Sequence, residues 1–165
     1  MPRFLIACLP ALALIACGDN SADSEANAPT TPSNEAAQPS TSEAPGTDYS
    51  AVLAALGPEF AAADVSHGER LFRRCQACHQ ISDGGRNTVG PNLYGIIGQP
   101  AGAVPRFSYS QQLTDAGLVW DTATLDQWLA SPRALVPGNR MSFVGLRDAD
   151  DRRDLIAFMA TRAGN

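Results

Sequence analysis

The pentapeptide Cys75-Gln76-Ala77-Cys78-His79 constrains this chain more than any other feature. One helical turn would set both thiols along a single edge, with a histidine directly after the second. Three chemistries use such a pair. A zinc half-site needs a second ligand pair, yet the other cysteines, Cys8 and Cys17, lie in an N-terminal apolar stretch, and the only other histidine is His67. A thioredoxin-like redox pair expects strands alternating with helices, a pattern missing here. Covalent haem attachment fits: the thiols reach two vinyl groups of one porphyrin edge, and the histidine lies under the iron as proximal ligand. We therefore expect one haem c, held by Cys75 and Cys78 and ligated by His79.

The rest of the sequence agrees with a core built around a large apolar cofactor. Residues 80–119 are rich in Gly, Pro, Asn and Ser with scattered apolar residues, which predicts ordered loops. A loop segment of about 40 residues is rare in a small domain unless something besides helices and strands fills the interior. Helical patterns flank it. Val65, Leu71 and Phe72, with Asp64 or Ser66 as N-cap, predict a helix running up to Cys75. Thr122 or Thr124 caps a short helix with Leu125, Trp128 and Leu129, which Pro132 ends, and Asp148–Arg162 forms a last helix with Leu155, Ile156 and Met159 on one face. Met159 is thus core filler. Met141 follows Pro137-Gly138-Asn139-Arg140 in a loop, a poor place for packing and a good one for presenting a thioether to iron, so it is the expected sixth ligand. His/Met ligation raises the iron potential and leaves no open site for oxygen or peroxide. His67, eight positions before Cys75, is expected as a surface helix residue.

Before residue 62 the chain has another character. Arg3 precedes the 13 apolar residues Phe4 to Ala16, too short to span a bilayer as a helix and typical of a secretory signal. Leu14-Ile15-Ala16-Cys17 resembles the lipobox of bacterial lipoproteins, so residues 1–16 are expected as a signal peptide and Cys17 as a lipid-carrying membrane anchor; plain cleavage and an uncleaved anchor are the alternatives. Residues 17–61 are then a lipidated N-terminus and a disordered Ala/Ser/Pro/acidic tether. From Gly18 to Asp48 the chain lacks the large apolar residues that could offset its ordering entropy, and flexible-chain scaling gives that stretch a reach of roughly 30 Å. Tyr49–Leu56 and Glu59–Ala63 add one or two weak helical turns. Residues 18–61 carry seven acids and no base, whereas 62–165 carry ten acids and eleven arginines, a formal +1 that argues against nucleic-acid binding.

Residues 62–165 resemble the class I c-type cytochromes, in particular the mitochondrial and purple-bacterial type. The resemblance implies an all-α fold, about three core helices and ordered loops wrapped around one covalent haem, in an electron carrier rather than an enzyme; with the lipobox it gives a lipid-anchored carrier on the periplasmic side. Gly68-Glu69-Arg70-Leu71-Phe72 matches the N-terminal helix, whose glycine packs on an aromatic of the last helix, here Phe158. Gly90-Pro91-Asn92-Leu93 matches the loop whose Pro91 carbonyl accepts the His79 ring N–H. Phe107-Ser108-Tyr109-Ser110 and Trp120 match the segment that binds the haem propionates. Val136 to Phe143 matches the axial-methionine loop, with Asn139 among its cofactor-binding residues. Three positions depart from the mitochondrial pattern: Trp128 stands for a Tyr that bonds the Met sulfur, Gln99 for an Arg near a propionate, and Leu113 for an Asn in a polar pocket. The family's docking lysines are absent, and Arg73, Arg74, Arg86, Arg133, Arg140 and Arg147 could replace them. The implied function is one-electron shuttling by a monomer from a bc1-type complex to a terminal oxidase or reaction centre. A haem enzyme or gas sensor without Met141 on iron, and a dedicated partner of one periplasmic dehydrogenase, are the alternatives.

Overall fold

The computed structural model describes residues 47–162; the expected signal 1–16, Cys17 and the expected tether as far as residue 46 lie outside the described residues. Among the described residues the first helix is α1, Ser50–Leu56, followed by a 3-10 turn, Pro58–Phe60. Both pack against the last helix, and Phe60, 4% exposed, belongs to the core. The packed body therefore starts earlier than the boundary expected between residues 61 and 62. Composition hides this, because a single phenylalanine in an Ala-rich stretch supplies the burial.

Helix α2, Val65–Phe72, opens at Asp64, whose extended backbone lets its carboxylate accept the His67 N–H at 2.8 Å. It stops short of the expected Cys75, as the Arg73 N–H turns back to the Arg70 carbonyl. Its buried face is Gly68, Leu71 and Phe72. That face meets α6, Ala149–Thr161, which Asp148 caps by accepting the N–H groups of Asp150 and Asp151. From Asp154 to Ala160 every residue of α6 is buried, so this helix is enclosed on all sides rather than on the one face read from the sequence. The Phe72 and Phe158 rings meet at 5.4 Å, tilted by 47°, a pairing that adds about 1 kcal/mol beyond burial.

Between these helices lie three shorter ones. α3, Gln111–Asp115, is capped by Ser110 and sits in the segment read as loop. α4, Thr122–Ala130, packs on α6 and is capped by Asp121, which accepts the Thr124 N–H at 2.7 Å. Neither threonine caps it, since the carboxylate just upstream is the better acceptor in an extended backbone. Pro132 ends α4 as expected and also opens α5, Pro132–Leu135, because the first helical position needs no N–H. Arg152, its side chain 12% exposed, pairs with Asp126 of α4 at 2.7 Å and donates to the Leu146 and Arg147 carbonyls, clamping α6 to α4. Among the described residues the extended structure is an isolated bridge between Pro100 and Val119.

Candidate functional site

After α2 the chain makes one further turn: the Cys78 N–H bonds the Cys75 carbonyl at 3.0 Å and the His79 N–H bonds the same oxygen at 2.9 Å. Cys75, Cys78 and His79 thus share one helical turn, all half-buried, with both thiols free. Burial pushes the Cys75 thiol up to about 11, so it is protonated at neutral pH. Among the described residues no cluster of three His, Cys, Asp or Glu side chains could hold a metal ion.

His79 is held from the loop that follows. Its Nδ1 donates to the Pro91 carbonyl at 2.8 Å, which fixes the tautomer and leaves Nε2 as the nitrogen with a lone pair. Burial pulls the His79 pKa down, against the Pro91 bond, which favours the neutral imidazole. The loop is closed on the attachment turn by the Gly90 N–H and the Thr88 hydroxyl, both donating to the Cys78 carbonyl, and by the Leu93 N–H to the Gln80 carbonyl. Gly90 lies flat on the imidazole: a Cβ there would come within 2.3 Å of the ring. Asn92 ties the inside of the loop by donating to the Ser82 and Gly85 carbonyls, a role that sequence reasoning misses although Asn92 stands in the motif Gly90-Pro91-Asn92. The two thiols on one turn, the oriented imidazole and the glycine that lets the loop pack against its ring fit a covalent haem.

Met141 is half-buried and packs against the core cluster together with Phe143, Tyr109, Leu93 and Ile97. Its loop has no helix or strand, and side chains hold it. Asn139 donates to the Pro132 and Val136 carbonyls and accepts the Met141 N–H. Asn139, expected among the cofactor-binding residues, has both its amide protons committed to carbonyls at the start and just past the end of α5. The neighbouring Arg140 donates to the Tyr109 carbonyl and so joins this loop to the expected propionate segment.

In that segment Tyr109 is half-buried, and Ser110 is buried with its Oγ capping α3 by accepting the Leu113 N–H at 3.3 Å. Trp120 is buried with its ring 5.3 Å from that of Trp128. Leu113 is in the core, whereas Gln99 is exposed and lines a groove of about 640 Å3 with Arg86 and Arg106. The six candidate docking arginines are all exposed, while among the described residues the ion pairs are made by Arg70, Arg152, Arg153 and Arg162. His67 lies on α2 with its side chain 35% exposed, and it also meets the buried Asp154 carboxylate at 3.0 Å.

No family model matches the chain. Cytochrome c2 of Rhodomicrobium vannielii is 46% identical over 105 residues, 64% of this chain and 84% of that protein. Cytochrome c2 of Blastochloris viridis is 37% identical over 108 residues, 66% of this chain and 85% of that protein. Among solved structures, cytochrome cH from Methylobacterium extorquens superposes with a TM-score of 0.57 at 41% identity, covering 60% of this chain and 99% of its own.

Proposed function

The chain belongs to the class I c-type cytochromes, electron carriers with one covalently bound haem c, and from that premise we propose a tethered one-electron shuttle with His79 and Met141 as its iron ligands. The observation that carries the ligand assignment is the 2.8 Å bond from His79 Nδ1 to the Pro91 carbonyl within the Cys75–His79 turn. Haem c supplies reversible one-electron exchange at its iron. Cys75 and Cys78 would anchor it, Pro91 would orient His79 and raise its basicity, and the Met141 thioether would serve as the second protein ligand to iron. Tyr109, Ser110 and Trp120 form the propionate side. A site closed by two protein ligands admits no substrate, which suits a carrier and not an enzyme.

The proposed setting is the periplasmic side of a bacterial membrane, reached by the signal 1–16 and held by lipid on Cys17. The chain's donor is a bc1-type complex and its acceptor a terminal oxidase or reaction centre, approached through acidic faces by the exposed arginines. A near-neutral domain gains only weak steering from six arginines, and anchoring carrier and partners to one surface offsets this with effective concentrations of order mM.

Purified oxidised protein is expected to show the near-infrared sulfur-to-iron charge-transfer band, and the reduced protein to bind no carbon monoxide. Carbon monoxide binding without that band would instead make it a ligand-binding haem protein. Mass spectrometry of the mature N-terminus tests the anchor: a lipid adduct on Cys17 supports it, and a different, unlipidated start removes it.

A further inference from the structure

We propose that Asn139 is the positioning residue that decides where the Met141 sulfur stands, an inference that rests on the reading of Met141 as axial ligand. Three contacts carry it. Asn139 Nδ2 donates to the Pro132 carbonyl at 2.9 Å and to the Val136 carbonyl at 2.8 Å, and its Oδ1 accepts the Met141 N–H at 2.9 Å. The two carbonyls lie at the start and just past the end of α5, and the Val136 carbonyl also accepts the Asn139 backbone N–H at 3.2 Å. One side-chain amide therefore fastens the methionine's backbone to both ends of a short helix, sharing carbonyls that also accept backbone N–H groups.

The partners also fix which way the amide faces. Exchanging its oxygen and nitrogen would set an NH2 against the Met141 N–H and an oxygen against two carbonyls, leaving three repulsive contacts in place of three bonds. The loop between Val136 and Met141 has no regular hydrogen-bond ladder to set its path, so the placement of residue 141 depends on this side chain. Arg140 adds a second hold by donating to the Tyr109 carbonyl, on a different segment. A thioether is a weak ligand, and it competes well only when its chain holds it in place before it binds.

The test uses the haem-loaded protein and imidazole as competitor for the iron. In the wild type, added imidazole displaces the thioether and abolishes the sulfur-to-iron band at some midpoint concentration. Asn139→Ala is expected to bind imidazole about tenfold more tightly and to speed amide hydrogen exchange at Met141 by about tenfold. Asn139→Asp keeps an acceptor for the Met141 N–H but loses both donors; it is expected to bind imidazole more tightly as well, and it serves if the alanine variant does not accumulate. Imidazole midpoints within twofold of wild type in both variants, with unchanged exchange at Met141, would overturn the assignment. So would a lowered melting temperature with unmoved imidazole binding, which is the mark of a merely structural contact. A wild-type protein without the band removes Met141 as ligand and this role with it, whereas a wild type with the band and unmoved variants removes only the role of Asn139.

Discussion

A Cβ placed on Gly68 would stand 2.0 Å from the carbonyl oxygen of Asp154 and 2.8 Å from the Cβ of Phe158. The backbone of α2 touches α6 with no room for a side chain. Gly68→Ala gains about 1 kcal/mol of helix propensity. It also forces two buried helices apart, an overpacking cost of about 3 kcal/mol where the obstacle is main chain rather than a yielding side chain. The net expectation is a loss of about 2 kcal/mol, read from the denaturant midpoint; a stabilised variant would show that the helices can separate freely.

Asp154 is the polar centre of the same interface. It is 4% exposed, accepts the Asp64 N–H at 3.0 Å and Arg153 at 3.1 Å, and faces His67 Nδ1 at 3.0 Å. Asp154→Ala removes the acceptor of the α2 N-cap amide and the partner of His67 and Arg153, and about 2 kcal/mol of stability should go with them. His67→Ala should then cost far less in that background than in the wild type, since the two side chains share one interaction. Strictly additive losses in a double-mutant cycle would contradict the pairing.

Gly90→Ala places a methyl group within 2.3 Å of the His79 ring, which must tilt and weaken its bond to Pro91. A less strongly polarised imidazole is a poorer donor to oxidised iron. The reduction potential of the variant should therefore rise above that of the wild type, as measured by spectroelectrochemistry. An equal potential would mean that the ring has space to accommodate the methyl.

Burial raises the Tyr109 phenol above its ordinary value of 10.0, outweighing a backbone hydrogen bond at Val104 that acts the other way. The folded protein then holds this proton more tightly than the unfolded chain does. The resulting stability is fully present below pH 10 and is lost as pH climbs through the folded value. Wild-type protein should lose stability more steeply above pH 10 than Tyr109→Phe, in urea unfolding at a series of pH values; parallel curves would show no linkage at this residue.

The residues with chemical identity are legible in the chain itself. Cys75, Cys78 and His79 are legible because their spacing is the chemistry, and Pro91 because the resemblance ties its carbonyl to His79, where it is found. α2, α4 and α6 are legible from apolar spacing, with ends displaced by a residue or more where a carboxylate or proline controls the terminus. The polar ties are not legible. Asn139, Asn92 and the His67–Asp154 pair join backbone or side chains across loops, or across 87 residues in the last case, and no periodicity records such partners. Phe60 escapes for a related reason: one aromatic residue is no pattern, yet it settles where packing begins.

The pairing of α2 with α6 also sets an order of events in biosynthesis. Asp64 and Asp154 are 90 residues apart, so the first helix and the adjoining thiols are made before the helix that packs on α2. Until those distant segments dock, both sulfurs stand in an open chain, within reach of whatever machinery joins porphyrin to protein.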